Sequence, residues 1–244
     1  MTQRARSDAD KRSRHDDIVD AARAVFDDLE IDGFTMDAVA ASLSLAKGTL
    51  YRYVPTREAL LLALTIDEYA TWFDRVDAAL AAATPPKGDT PRDSARDAAG
   101  DAETLTSAVV TSLVEQPRLL RLMSLVASVL ERNVPFDTAL HYKSFLVQRS
   151  AVTGTLVARR LGCTQQRALQ FLVHLQALTI GLYHHAHPAP VVKEVLVDSA
   201  FAALQIDFRR ELEHGMRALA LAAMADRTPA AAARSIRPAA SNDR

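Results

Sequence analysis

Apolar residues recur every three to four positions along most of this chain, which is the spacing that places them on one face of an α-helix. The first such segment covers residues 14–29, and Ser13 followed by Asp16 resembles a capping box. Gly33 marks the exit from this helix, because glycine tolerates the positive φ that many helix exits adopt. Residues 1–13 have little to bury, so we expect a flexible basic arm that is either a solvated tail or a segment that follows phosphates or a minor groove.

Three further helices follow at close intervals. Thr35 is a suitable N-cap for the second helix and Thr56 for the fourth, which is long. Between them, a short third helix begins near Ala46 and stops before Pro55, which lacks a backbone N–H. Three helices followed by a long one, with few residues between the second and third, predict a helix-turn-helix domain over residues 14–56.

The rest of the chain is also helical in pattern, apart from one segment of different composition. Residues 83–103 are rich in Pro, Gly, Ala and Asp without apolar periodicity, and we expect a mobile loop there. Helices are predicted on both sides of Pro117, over 136–161 up to Gly162, and over 165–185. The pattern therefore predicts an all-α fold in which the long fourth helix joins the helix-turn-helix domain to a second helical domain.

The end of the helical region predicts self-association. Apolar residues surround the 165–185 helix almost completely, so it should be covered on two sides. After it, apolar residues follow a single stripe at spacings of three and four over 201–223. Pairing of these two helices with their copies predicts a dimer interface made of Leu172, Leu175, Leu182, Phe201, Phe208, Leu212, Met216 and Leu219. The second domain then covers 57–225, and we expect the tail 226–244 to be disordered.

Composition narrows the class of protein without identifying it. The 244 residues are 49% hydrophobic, which is enough for a substantial core. No apolar run is long enough for a membrane span and no signal peptide is recognisable, so we expect a cytoplasmic protein with no membrane partner. The single cysteine, Cys163, cannot form an internal disulfide. Residues 1–60 carry nine Lys and Arg against eleven Asp and Glu, so bulk basicity gives no support for nucleic-acid binding.

The third helix nevertheless concentrates polar groups that suit a DNA groove. At about 100° per residue, Thr49, Arg52 and Tyr53 share one side of the helix. Leu50 and Val54 point elsewhere and can pack. A major groove admits one α-helix, whose N-terminal side chains read the base edges. This division into a polar and an apolar face favours a DNA-reading role.

The sequence from about Arg14 to Leu64 resembles the DNA-binding domain of the TetR family of transcriptional regulators. The resemblance is carried by GFTMDAVA at 33–40 and KGTLYRY at 47–53, with REALL at 57–61 behind them. It implies a homodimeric, ligand-responsive regulator, expected to be a repressor, that binds a near-palindromic operator in double-stranded DNA.

The resemblance also assigns DNA contacts to eight residues. Those implied to contact mainly phosphates are Thr35, Tyr51, Tyr53 and Arg57. Those implied to read bases are Lys47, Gly48, Thr49 and Arg52.

Three positions around the third helix depart from the family pattern. Ser44 stands in a tight turn where many relatives have glycine, and a left-handed conformation there would cost on the order of 1 kcal/mol more. Ala46 has no oxygen with which to cap the third helix, and Val54 replaces a more usual Phe, so we expect lighter packing and a weaker or more mobile reading helix. These departures leave open an alternative, a helical small-molecule binding or adaptor protein whose helix-turn-helix has decayed.

A small-molecule pocket in the second domain is a further implication of the resemblance, and its apolar surroundings suggest a largely apolar effector. The candidate pocket residues are Trp72, Phe73, Met123, Tyr142, Phe145, Arg149 and His174. Each of them has an alternative interpretation as an ordinary core residue.

Histidines suggest two other interpretations. His184, His185 and His187 cluster near a helix end, but no Asp, Glu or Cys stands nearby at ligand spacing, so we expect no metal. His141 and His174 could suggest catalysis, yet the sequence has no nucleophile elbow, phosphate loop or paired-carboxylate motif. We therefore expect neither a cofactor nor enzymatic activity.

Overall fold

The computed structural model describes residues 3–83, 95–126 and 130–225, and the regular secondary structure in these residues is helical. The α-helices are α1 (Gln3–Gly33), α2 (Met36–Ser42), α3 (Lys47–Tyr51), α4 (Arg57–Ala82), α5 (Ala95–Val114), α6 (Pro117–Leu125), α7 (Phe136–Leu161), α8 (Gln165–Ala186), α9 (Pro190–Leu196) and α10 (Phe208–Ala225). A 3-10 helix covers Ser199–Leu204 between α9 and α10. The predicted all-α fold is confirmed.

Helix α1 differs from its prediction at both ends. It already begins at Gln3, because residues 3–13 contain neither Pro nor Gly and nothing in them stops a helix, so the predicted arm is helical. At the other end, Glu30 adopts the positive φ of 53° that we predicted for Gly33. Gly33 is required for another reason, since a Cβ there would lie only 2.8 Å from Leu29 Cβ.

The first domain is built around its predicted N-caps. Thr35 Oγ1 accepts a hydrogen bond from Ala38 N at 3.1 Å, which begins α2. Thr56 Oγ1 accepts one from Ala59 N at 3.0 Å, which begins α4. The apolar side chains buried between α1, α2, α3 and α4 include Phe26, Phe34, Val39, Leu50 and Leu60. Through this core, α3 packs against α2, and α1 packs against both α2 and α4.

Helix α4 supports the second domain along its length. It packs against α5, α6 and α7, while α8 packs against α7 and α6, and α10 lies between α5 and α8. Helix α7 has the predicted bounds, and Gly162 ends it with a left-handed φ of 64°. None of the helices in the described residues has both the length and the apolar character needed to cross a membrane.

Helix α5 begins at Ala95, inside the segment 83–103 that we predicted to be a loop. The helix is held by burial: Ala102 is fully buried, and Arg160 Nη1 lies 3.3 Å from Asp101 Oδ1 in a largely buried ion pair. Packing against the domain therefore stabilises a helix that has little apolar periodicity at its start. Residues 84–94 lie outside the described part of the chain.

The stripe of apolar residues predicted over 201–223 is divided between two helices. Phe201 lies in the 3-10 helix, whereas α10 begins only at Phe208. Asp207 Oδ1 accepts a hydrogen bond from Arg210 N at 2.9 Å, so α10 has its own N-terminus and the stripe does not continue from Phe201. The tail predicted over 226–244 lies outside the described residues.

Candidate nucleic-acid interface and internal cavity

Helix α3 is only five residues long and turns a polar side to solvent. Arg52, Tyr51 and Tyr53 are exposed, the tyrosines by 41% and 40%. Leu50 and Val54 are buried on the opposite side, as the helical spacing predicted. The helix therefore offers one face to another molecule while its other face holds it in the domain.

The remaining predicted contact residues surround the N-terminus of α3. Lys47 Nζ donates to Asp37 Oδ2 at 2.8 Å, and this hydrogen bond raises the pKa of Lys47. Both side chains are more than half exposed, so a phosphate can compete with Asp37 for the ammonium group. Gly48 stands in open space, where a Cβ would meet nothing within 4 Å. Thr35 is exposed and Thr49 is half-buried beside them.

Arg57 differs from the other predicted contacts because its guanidinium points into the domain. Its Nε donates to Phe34 O at 2.7 Å, and its Nη2 donates to Ile31 O. Its Nη1 lies 3.7 Å from Glu58 Oε1. Arg57 thus satisfies the carbonyl groups where the chain leaves α1, and a phosphate contact would require it to exchange these partners.

The turn between α2 and α3 has the strain that its sequence predicted. Ser44 has a φ of 54°, the left-handed conformation expected where glycine is usual. The N–H groups of Ser44 and Leu45 donate to Ala41 O and Ala40 O at 3.0 and 2.9 Å, and these bonds hold the turn. Ala46 makes no side-chain capping bond to α3, which was also predicted.

Five charged residues, which we call the junction network, connect α6 to α1 and α4: Arg23, Asp27, Glu68, Arg118 and Arg121. Arg118 of α6 donates through Nε to Asp27 Oδ1 at 2.8 Å and through Nη1 to Glu68 Oε1 at 2.7 Å. Glu68, on α4, also accepts from Arg23 Nε of α1 at 3.2 Å, and Arg121 Nη2 lies 3.7 Å from Asp27 Oδ1. Only 8% of the Glu68 side chain is exposed, so solvent screens this network less than a surface pair.

The charges of the junction network reinforce one another. The hydrogen bond from Arg118 holds the pKa of Asp27 below its usual range, and the same contact raises the pKa of the Arg118 guanidinium. Both groups are therefore charged at neutral pH. Sequence analysis did not predict the network, because Asp27 and Arg118 are separated by 91 positions and carry no local signal.

A narrow cavity of about 50 Å³ lies inside the second domain, lined mainly from α4, α7 and α8. Three aromatic rings form one wall: Trp72 and Phe73 have centroids 4.8 Å apart, and Tyr69 lies 6.0 Å from Phe73. The indole N–H of Trp72 is satisfied, since it donates to Ser112 Oγ at 3.0 Å. The other lining residues are Leu113, Met123, Leu146, Ser150, Leu172, Leu175, Gln176 and Thr179, and each lining residue found in the described chain is uncharged.

Of the predicted pocket residues, Trp72, Phe73 and Met123 line this cavity. Tyr142 and Phe145 do not: Tyr142 is buried elsewhere in the core, where burial raises the pKa of its phenol, and Phe145 packs behind the aromatic wall, 6.4 Å from the ring of Phe73. These two residues belong to the core that supports the cavity.

Arg149 and His174 also lie outside the cavity lining. Arg149 Nη2 donates to Asp74 Oδ1 at 2.7 Å and to Asp77 Oδ2 at 3.2 Å, so ion pairs with α4 explain its position. His174 is exposed, because its phase on α8 turns it away from the interior. Both predicted pocket contacts are therefore placed elsewhere by the structure.

The polar side of the cavity was missed by sequence analysis. Thr179 is 1% exposed, and its Oγ1 has no hydrogen-bond partner among the described residues. Gln176 Nε2 donates to Tyr69 Oη at 3.2 Å. The signal in the sequence is the helical spacing of Gln176 and Thr179 with Leu172 and Leu175. The dimer prediction instead places these two leucines at the interface between protomers.

The predicted dimer residues fall into two groups. Leu212 and Met216 are fully buried in their own protomer, since α10 turns this side toward α5 and α8, and Leu172 and Leu175 line the cavity. This burial removes the four residues from a free surface. Those left at least partly exposed are Leu182, Phe201, Phe208 and Leu219.

The histidines at the end of α8 are explained by local packing. His187 stacks on Tyr183 with ring centroids 4.1 Å apart, and its Nδ1 lies 2.9 Å from Tyr183 O. Within the part of the chain that the structure describes, no group of three or more His, Cys, Asp and Glu residues is arranged to hold a metal ion.

Comparison with known proteins gives matches over both domains. A family model described as bacterial regulatory proteins, tetR family, matches residues 18–64, and one described as tetracyclin repressor-like, C-terminal domain, matches residues 66–226. A search of curated proteins found no match.

A solved structure agrees with this in fold. A TetR transcriptional regulator from Streptomyces coelicolor is 18% identical with a TM-score of 0.50, over 87% of this chain and 98% of that chain. A candidate TetR-family regulator from Shewanella sp. PV-4 is 17% identical with a TM-score of 0.48, over 86% and 96%. At 18% identity the likeness to the Streptomyces coelicolor regulator concerns the fold alone.

Proposed function

Since this chain belongs to the TetR family of transcriptional regulators, we propose that it is a homodimeric repressor whose affinity for a near-palindromic DNA operator changes when a small molecule binds. Regulators of this family are DNA-binding proteins and not enzymes. The observation that carries the proposal is the exposed polar face of α3, supported by buried Leu50 and Val54. Repression is supported by the repressor-like description of the matched C-terminal domain.

Base readout is assigned to the N-terminal half and outer face of α3. Arg52 is exposed and has the fork geometry to bridge O6 and N7 of guanine, with Lys47, Gly48 and Thr49 beside it. Phosphate contacts, which set the register of the protein on DNA, are assigned to the exposed residues Thr35, Tyr51 and Tyr53. Arg57 supports this surface from within the domain.

The dimer is proposed to use apolar side chains that the single protomer leaves exposed. Val173 on α8 is 64% exposed, and Val195 and Val197 at the end of α9 are 52% and 81% exposed. Exposed apolar side chains can form a protein interface when a second protomer covers them. A two-fold dimer presents two copies of α3, so it matches an operator with two similar half-sites.

Coupling between ligand and DNA is assigned to α6. Met123 of this helix lines the cavity, whereas Arg118 and Arg121 of the same helix pair with residues of α1 and α4. A ligand that prefers one position of α6 therefore also shifts the position of the first domain. The burial of Leu50 and Val54 behind the exposed face of α3 favours this function over the alternative of a binding protein with a decayed helix-turn-helix.

The test is selection of bound sequences from random DNA, with and without a metabolite extract. We expect one enriched near-palindromic sequence, with half-sites about 34 Å or a multiple of it apart. Arg52→Ala should weaken binding about ten- to a hundredfold and relax selectivity at one base position, because a bidentate base contact contributes about 1–3 kcal/mol.

Arg159→Ala is the matched control, since Arg159 is an exposed arginine at the far end of α7. It should leave affinity and selectivity unchanged. Failure to enrich any sequence under either condition, or unchanged selectivity in Arg52→Ala, would overturn the assignment of α3 as the reading helix.

A further inference from the structure

The cavity contains a polar group that the packing of the protein does not satisfy. Thr179 lines the cavity, and its Oγ1 is buried without a hydrogen-bond partner among the described residues. A buried hydroxyl without a hydrogen-bond partner lowers the stability of the folded protein. Thr65 satisfies its hydroxyl within its own helix by donating to Leu61 O at 2.7 Å, whereas Thr179 makes no such bond. The Thr179 hydroxyl therefore has an unused hydrogen-bonding capacity beside the cavity.

We propose that this cavity binds an uncharged molecule with one six-membered ring and one hydrogen-bonding group, and that this group pairs with Thr179 Oγ1. The ring would lie against Trp72 and Phe73, where offset or edge contacts between rings are favourable. The inference rests on the proposed function in taking the cavity as the effector site, and it names the chemical class of that effector.

The lining explains why the molecule carries no charge. Every described lining side chain is uncharged, and an ion buried without a partner carries a large desolvation penalty. Burial raises the pKa of Tyr69 well above its usual value, so this phenol also remains neutral. Its Oη already accepts a hydrogen bond from Gln176 Nε2 at 3.2 Å. Thr179 is thus the lining residue whose hydroxyl has no hydrogen-bond partner among the described residues.

The small volume of the cavity limits the size of the molecule that it can bind. About 50 Å³ is several times the roughly 10–15 Å³ that one water molecule requires, and small adjustments of flexible lining residues such as Met123 can extend it. A cavity of about 150 Å³ accommodates benzene, so a single ring requires these lining residues to move, and a fused multi-ring molecule would require the helices to separate.

The experiment compares three probes of similar size: phenol, toluene and benzoate. Trp72 is the single tryptophan of the chain and lines the cavity, so its fluorescence reports occupancy directly in the full-length protein without DNA. We expect phenol to bind about three- to tenfold more tightly than toluene, as one net hydrogen bond allows. Benzoate should give no binding.

Variants at Thr179 assign the preference to its hydroxyl. Thr179→Val keeps the shape of the side chain and should reduce phenol to the affinity of toluene, while toluene binds at least as well as before. Thr179→Ser keeps the hydroxyl and should retain the preference for phenol. Thr106→Val is the matched control, because Thr106 is also buried with an unpartnered Oγ1 but does not line the cavity, so all affinities should stay unchanged.

Equal affinities of phenol and toluene, binding of benzoate, an unaffected Thr179→Val variant, or no response of Trp72 to any probe would each overturn the proposal. Since the assay contains no DNA, its outcome is separate from that of the operator selection. Phenol binding with the expected variant pattern would support the chemical class of ligand even if no operator were enriched, in which case the regulatory function would be the part that fails.

Discussion

The two domains differ in how they satisfy their polar groups. In the DNA-binding domain, Arg52 faces solvent, whereas Thr35 and Arg57 form hydrogen bonds with backbone groups. In the second helical domain, where the C-terminal family model matches residues 66–226, the interior holds Thr179 and Gln116 with polar atoms that lack partners among the described residues. The buried side-chain polar atoms without partners among the described residues therefore lie in the second domain. A bound molecule or a shift of its helices could provide these atoms with hydrogen bonds.

The largest expected effect is a loss of stability when the hydrogen bonds of Arg57 to the backbone are removed. Arg57→Ala removes the hydrogen bonds to Phe34 O and Ile31 O and should lower the free energy of unfolding by about 2–3 kcal/mol, since bonds to charged groups are the stronger kind. Chemical denaturation followed by circular dichroism measures it. Arg52→Ala, the exposed counterpart, should change stability by less than about 0.5 kcal/mol. Equal effects of the two variants would contradict the distinction between a supporting and a reading arginine.

A smaller effect is expected where that domain departs from ideal geometry. Ser44→Gly should raise the free energy of unfolding by about 0.5–1 kcal/mol, because glycine tolerates the φ of 54°. Ser42→Gly is the control within α2, where the same replacement should destabilise the protein by a similar amount. Thermal or chemical unfolding measures the stability of both variants. A loss of stability in Ser44→Gly would show that the turn is not strained.

The smallest effect tests the boundary between the two domains. The pKa of Asp27 is lowered in the folded protein, so its contribution to stability is present above the unfolded value of about 4 and is lost as the pH falls through the folded value. Stability measured at pH 7 and pH 3 should therefore fall less in Asp27→Asn than in the wild type. The effect should be modest because 41% of the Asp27 side chain is exposed.

Asp28→Asn is the comparison for this measurement, since Asp28 is the exposed neighbour of Asp27 on α1. It should retain the acid sensitivity of the wild type. Identical pH dependence in the wild type, Asp27→Asn and Asp28→Asn would show that the junction network does not couple folding to protonation.

Local chemistry explains why much of the DNA-binding domain could be predicted from sequence. The N-caps Thr35 and Thr56 act within three residues of their own positions, and the φ of Ser44 follows from a short turn. The phase of Leu50 and Val54 likewise follows from the geometry of one helix.

Long-range packing explains what could not be predicted. The role of Arg57 depends on carbonyl groups 23 and 26 positions away, and the junction network joins residues up to 91 positions apart. Leu212 and Met216 have the spacing of a dimer stripe, but only the placement of α5 and α8 determines that the same protomer buries them. The unpaired state of Thr179 Oγ1 has no counterpart in the sequence pattern.

The shortness of α6 has a consequence for kinetics. Its nine residues span about 13 Å, and in the proposed coupling a helix of that length would move as a rigid body that carries both Met123 at the cavity and Arg118 at the junction network. Such shifts of packed helices take microseconds to milliseconds and require no unfolding. We therefore expect the speed of the response to be set by ligand entry and by release from DNA, with the conformational step between them contributing little delay.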